Sequence, residues 1–267
     1  MNSHSTIDGQ SPVVGHRAFI GRSLPGLIAA SCVLAWGGTA WAGHDGVGGP
    51  KRSRPSIVAA QRQAHATPAM GESRQSWRGE QLTDLIARYS RREMSIPWAV
   101  TPFLDGAGIN CSINQEGNVW FIGGSFEQVY SRTCTVPFGK AIVAPVAYYL
   151  NDFPCPDPQF APAPEQSLEA FLQAGTAEVL AGITLTEARL NGRPVAVRRV
   201  VTPVFGFTGA ADIAANYDVC VTGAPQLGVT EGYFAFVEPP PKGTHVLHIR
   251  SIGSYGESLG TVTLVVK

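Results

Sequence analysis

The chain has 267 residues, 44% of them hydrophobic, and 20 basic side chains balance 20 acidic ones. That length and apolar content suffice for one domain with a proper core. The neutral balance excludes a global field for nucleic acid or an anionic membrane, so any partner is selected by a local surface.

Residues 1–42 read as an export signal. Arg17 and Arg22 supply its positive charge, Leu24 to Trp36 form an apolar run, and Thr39-Ala40-Trp41-Ala42 offers small residues at a cleavage site. Pro25, Gly26, Gly37 and Gly38 break the run, which falls short of the roughly 20 apolar residues that span a bilayer. A second reading takes Ala29-Ala30-Ser31-Cys32 as a lipoprotein box with Cys32 lipidated; Ala29 stands where a larger aliphatic is usual, which favours free secretion or a periplasmic location. Cleavage after Ala42 leaves 225 residues with 18 basic and 19 acidic side chains. It also leaves four cysteines, Cys111, Cys134, Cys155 and Cys220. An even number in an oxidising compartment reads as two disulfides. Three pairings are possible; Cys111–Cys134 with Cys155–Cys220 is favoured because the first pair flanks what reads as a strand and its return. No two of the four are spaced as a C-x₂₋₄-C zinc pair.

Residues 43–78 are rich in Gly, Pro, Ser and Arg without apolar periodicity and are expected to be a disordered linker. Within it, Lys51-Arg52-Ser53-Arg54 offers a basic touch-point for anionic envelope polymers. The domain is expected at 79–267. Leu82, Leu85, Ile86 and Tyr89 fall on one face of a 3.6-residue period, which predicts a helix that stops before Pro97. Asp84 precedes Arg88 by four residues, the favourable order for an ion pair. Asn118–Ile122, Gln128–Val136 and Gly139–Leu150 read as strands, the last interrupted by Pro145. Residues 151–165 read as irregular. Ser167 is placed to cap a short helix carrying Leu168, Phe171 and Leu172, with Gly175 and Gly182 limiting it. Asn191-Gly192 marks a hairpin. Gly232–Val237, Thr244–Arg250 and Thr261–Val266 are three more strands. The expected fold is mostly β: a disulfide-stapled β-sandwich or jelly-roll with one N-terminal helix and a short second helix.

The segment Cys111…Gly117-Asn118-Val119-Trp120-Phe121-Ile122-Gly123-Gly124…Arg132-Thr133-Cys134-Thr135-Val136-Pro137-Phe138-Gly139-Lys140 resembles a family of bacterial secreted proteins of unassigned activity. Those proteins carry a C…G-x-V-W-F-x-x-G…R-x-C-x-V-P-x-G-K core. Ser95-Ile96-Pro97, Asp105-x-x-Gly108 and Gly232-Tyr233…Pro241-Lys242-Gly243-Thr244-His245 extend the likeness over roughly residues 80–267. The paired tryptophans expected before S-I-P are missing, and Ala141–Pro145 is less aromatic than the family pattern. The resemblance implies an exported β-rich fold and transfers no catalytic residue.

Catalytic motifs fail one by one. Gly256-Glu257-Ser258-Leu259-Gly260 matches a nucleophile elbow, but the seven residues after it hold no histidine. Cleavage after Gly43 would place His44 at the N-terminus, to chelate copper with His245 or His248; Ala42 is the better cleavage residue. His245 and His248, three apart on a strand, leave opposite faces and bind no common metal. The weak catalytic candidates are the carboxylates Asp105, Glu116, Glu127 and Asp152, with Asp212 and Glu257, all read as in or beside loops. A hydrolase or lyase acting on a polymer needs two of these to converge. No cofactor and no metal ligand set is predicted, though a structural calcium on loop oxygens is compatible with the sequence. Trp120 reads as core; Trp98 and Tyr255 are the candidates for a sugar-stacking platform. The preferred expectation is a non-catalytic binding or structural module for envelope or environmental glycan, with no intact catalytic motif to make it an enzyme. The alternative is the polysaccharide-acting hydrolase or lyase.

Overall fold

The computed structural model describes residues 76–267. The expected signal peptide, Cys32, His44 and all but the end of the expected linker lie outside the described residues. Ser76–Trp77 (β1) pairs with Glu80–Gln81 (β2), so the fold already includes the last residues expected in the linker. Trp77 is buried edge-on against Phe236 and donates its indole N–H to Glu238.

Leu82–Ser95 forms the 14-residue α1, and Ile96 turns extended before Pro97, as the proline requires. All four residues of the predicted face are buried; Leu85 and Ile86 are fully so, each contributing about 1.5–3 kcal/mol by leaving water. The expected partner of Arg88 changes. Its guanidinium forks onto both carboxylate oxygens of Glu80 (3.3 and 2.9 Å), a two-bond geometry that outcompetes a single-turn helix pair with Asp84.

The chain continues as a 3₁₀ turn at Trp98–Val100, β3 (Val119–Phe121), β4 (Val129–Val136), β5 (Ala141–Phe153), α2 (Leu168–Leu180), β6 (Leu185–Leu190), β7 (Arg193–Pro194) and β8 (Ala196–Val201). Then come β9 (Phe205–Thr208), the one-turn α3 (Ile213–Asn216), β10 (Pro225–Val237), β11 (Gly243–Gly253) and β12 (Gly256–Val266). The fold is mostly β, a sandwich of two five-stranded sheets. One has the order β3-β5-β10-β8 with β9 also on β10; the other runs β4-β12-β11-β6-β7. Most pairings are antiparallel, but β3 with β5 and β4 with β12 are parallel. Both predicted disulfides are present, Cys111–Cys134 and Cys155–Cys220.

Trp120, Ile122, Ile142 and Ala235 face Leu247, Ile249, Val262 and Leu264 across the sandwich. α1 covers the opposite face of the first sheet, where Tyr89 makes edge contacts with Phe121, Tyr148 and Phe234. Pro145 sits within β5, two residues past the stretch paired with β3 and beside the register shift at Tyr233/Phe234, a position where a strand tolerates a missing N–H. Asn191 and Gly192 take φ of 49° and 78°, the expected hairpin geometry.

Ser167 caps α2 through Ala170 N, as expected. The helix then runs straight through Gly175 to Leu180. Gly175 is not a stop: a Cβ there would lie 2.4 Å from Asn151 Nδ2, so the glycine lets α2 approach β5, where Asn151 donates to Leu172 O at 3.0 Å. α2 thereby covers the part of the first sheet's inner face that the second sheet does not reach. Asp152, read as a loop residue, is fully buried near the end of β5 because the strand runs three residues further than its pattern predicts.

Candidate binding site

At one end of the sandwich, Trp98, Phe103, Phe126 and Tyr217 form a stack. Trp98 lies 5.0 Å from Tyr217 at an interplanar angle of 22°, and Phe126 is 5.7 Å from Trp98 and 5.0 Å from Tyr217. Phe103 stacks 4.8 Å from Phe126 and forms the buried base, while the other three rings are only half-buried.

Four separate segments hold these rings. Pro97 ends α1 and starts the 3₁₀ turn, whose first amide, Trp98 N, donates to Asp212 Oδ2 at 3.0 Å. Ala210 N donates to Met94 O at 2.8 Å, which fixes the α3 segment against the end of α1. Tyr217 is the residue after α3, and Cys220 three residues on is bonded to Cys155. Gln226 braces that bridge by donating to Cys220 O (2.6 Å) and Pro154 O (2.9 Å) while accepting from Thr222 N. Phe126 N donates to Phe103 O. Around the rings, Leu104 (53% exposed), Val219 (61%) and Val100 add exposed apolar surface. Half-buried rings with exposed aliphatics beside them in the chain make this end of the sandwich the candidate interaction surface.

Trp98 was expected as a platform and is in the stack. Tyr255 is not: it lies exposed at the β11–β12 hairpin tip, where its carbonyl accepts from Gln128, and it lines a cavity of about 100 Å³. Tyr130, Val146, Leu180, Ile249 and Ser251 line the same cavity, at the seam between α2 and the second sheet. It is well below the 300 Å³ or more of typical ligand pockets. Phe103, Phe126 and Tyr217 had no sequence signal as a group; the one clue was that Tyr217 and Trp98 both neighbour chain-fixing residues, Cys220 and Pro97.

The six carboxylates have separate surroundings. Asp105 accepts from three backbone N–H groups, Gly108 (2.8 Å) and Ile109 (3.1 Å) on Oδ1 and Asn110 (2.6 Å) on Oδ2, so its role is to close its own loop. That ring of amide hydrogens is the reverse of the oxygen cage a calcium ion needs. Asp152 receives Gln226 Nε2 at 3.4 Å, and Asp212 holds Trp98 N. Glu257 is in β12 and pairs with Arg250 at 2.6 Å on the open face of the second sheet. Glu116 is exposed on a loop, and Glu127, also exposed, lies at the 100 Å³ cavity. Asp105, Asp212 and Glu257 thus engage three different sets of partners. Gly256–Gly260 is strand, not an elbow. His245 is buried with Pro241 O and Asn191, whereas His248 is exposed beside Thr261, on opposite faces as predicted.

The buried charges lie elsewhere. Arg92 and Glu93, adjacent on α1, form an ion pair at its buried end. Arg92 also donates to Ile113 O, and Arg132 donates to Pro102 O and Gly124 O while stacking 4.7 Å from the Tyr130 ring. Burial pushes the Glu93 carboxyl above the usual carboxylate range against the pull of Arg92 and Arg132, and burial likewise raises the Tyr89 and Tyr148 phenols. The two guanidiniums tie α1 and β4 to the carbonyls of the loops between them, which is how the Phe103 and Phe126 segments are held.

Among the described residues there is no group of three or more His, Cys, Asp or Glu placed to hold a metal ion, and no helix is long and apolar enough to cross a membrane. No family model matches the chain, and no curated protein matches it. The solved structure of PbICP-C in complex with falcipain-2 aligns over 57% of this chain and 100% of that one, at 11% identity and a TM-score of 0.22. A score that low carries no argument about this chain.

Proposed function

We propose that the protein is an exported, non-catalytic binding module that takes glycan of the cell envelope or the environment on the Trp98–Phe126–Tyr217 stack. The observation that carries this reading is the cluster itself: three half-buried rings, with Trp98 stacked on Tyr217 at 22° and Phe126 tilted by 34° and 40° to them, stacked on Phe103 at its base and held near the Cys155–Cys220 disulfide. Rings fixed in advance lose little entropy when a flat, apolar sugar face settles on them. Asp212, whose Oδ2 accepts from Trp98 N, places a carboxylate beside the rings. The export signal supports the extracytoplasmic setting, and so do the two disulfides, which persist in oxidising compartments. The likeness to secreted bacterial proteins fits the same setting. A hydrolase reading draws no support from Asp105, Asp212 and Glu257, each of which engages a different partner.

The test is retention of the purified chain on a panel of cell-wall fractions and soluble polysaccharides, followed by titration with tryptophan fluorescence. Trp98→Ala is expected to weaken binding by roughly tenfold or more, as for a central aromatic anchor, while Tyr255→Ala leaves it unchanged. Absence of retention on every fraction would sink the reading, as would a Trp98→Ala protein that binds normally.

A further inference from the structure

The strand edges of this sandwich are unequally protected. At β3, the side-chain amide of Gln115 behaves as a surrogate strand: its Oε1 accepts from Phe121 N at 2.9 Å and its Nε2 donates to Phe121 O at 2.6 Å. Beyond β3, the edge of β5 meets Pro145, which has no N–H to offer. The centre of β4 is occupied by the preceding loop, with Thr133 N donating to Ala107 O and Cys134 bonded to Cys111. The chain returning through Arg193–Val195 takes the outer end of β6. At β9, Arg91 reaches across to Gly206 O. Folds commonly block exposed edges in such ways because an open one is a template for another strand.

β8 has no such block. Thr202 N donates inward to Thr230 O, so alternation along the strand turns the backbone N–H and C=O of Val201, Arg199 and Val197 outward. No backbone bond to these groups is made by any described residue. Charge then selects the occupant. From Ala188 to Ala211 the chain has Arg189, Arg193, Arg198 and Arg199 and no acid. Arg199 pairs with Glu231 yet remains half-exposed, and Arg198 is half-buried over the Phe236 ring, its buried Nη1 without a hydrogen-bond partner among the described residues.

We propose that the open edge of β8 accepts an extended, acidic peptide segment of another protein as an added strand. Main-chain bonds to Val197, Arg199 and Val201 provide the affinity, and the arginines provide the choice of partner. A second copy of this chain is disfavoured, because antiparallel β8–β8 pairing sets arginines opposite arginines. The chain's own residues 43–75 are disfavoured for the same reason, with five basic side chains against two acidic. This site is separate from the ring stack and does not depend on glycan binding.

The probe is a fluorescent eight-residue peptide alternating valine and threonine with glutamate, compared with its lysine counterpart on the full chain. The acidic peptide is expected to bind at least roughly tenfold more tightly, to weaken in high salt, and to slow amide exchange at Val197, Arg199 and Val201. Val201→Pro, which removes an outward N–H but no bond to β10, abolishes binding. Arg198→Glu reverses the preference towards the lysine peptide, a result that misfolding does not produce. Equal binding of the two peptides overturns the proposal. So does an unchanged preference in Arg198→Glu, protection at other strands, or self-association through β8 in sedimentation velocity.

Discussion

Replacing Asp105 by alanine tests whether this carboxylate is structural, as its three amide donors imply, rather than catalytic. The side chain is 8% exposed, and the Gly108 N–H it receives at 2.8 Å is buried. Losing a charged acceptor for a buried donor costs about 1.5–3 kcal/mol. The Ile109 and Asn110 amides are only partly buried, and water recovers part of each bond, so they add about 0.5 kcal/mol apiece. The expected total is about 3 kcal/mol, or roughly 6–12 °C in Tm for a domain of this size. Asp105→Asn keeps an acceptor for Gly108 and should lose about half as much. Urea unfolding with the disulfides intact measures both. If Asp105→Ala lies within about 0.5 kcal/mol of the parent, the surface-substitution range, the loop is held by the Cys111–Cys134 bridge alone and the reasoning fails.

Three further outcomes are expected. The folded-state carboxyl of Glu93 is raised, so between the ordinary carboxylate value and that raised value the folded chain binds the extra proton. Its stability contribution is therefore full below about pH 4 and is lost as pH rises through the raised value. The stability difference between the parent and Glu93→Gln, from urea curves across acidic pH, should fall as pH rises; a constant difference contradicts this. Gln115→Ala removes both bonds that shield Phe121 and should cost about 2 kcal/mol while promoting concentration-dependent association, seen by light scattering. Serine replacement of Cys155 and Cys220, 65 residues apart, should destabilise by about 4 kcal/mol, against about 3 kcal/mol for the pair 23 apart, provided chain entropy dominates. The reverse order in denaturant midpoints would point to strain or to residual structure in the unfolded chain.

Elements defined by local pattern were readable from the residues alone. The α1 face, its stop before Pro97, the Ser167 cap, the Asn191-Gly192 turn and the core position of Trp120 each depend on neighbours within a few positions. Contacts between distant segments were not. Gly175 reads as a helix stop until Asn151 is seen to occupy the place of its missing side chain. Arg88 reads as the partner of Asp84 until β2 brings Glu80 within reach. The ring stack joins residues 98, 103, 126 and 217, and no periodicity connects them. Asp105 shows the difference most plainly. Its type and loop position suggest chemistry, and only the amides converging on it reveal that its oxygens are already engaged.

The two helices that cover the first sheet, α2 on its inner face and α1 on its outer face, differ in how firmly they are attached. α2 buries three side chains, Leu172, Thr176 and Leu180, whereas α1 on the other face buries nine. α2 is thus the layer whose detachment costs least, and its amides should exchange through a partial opening well below the energy of global unfolding. Cys155, thirteen residues before the first residue of α2, is fastened to Cys220. Any such opening is therefore arrested at the bridge, and the segment behaves as a tethered flap whose release wets the seam while the sandwich stays closed.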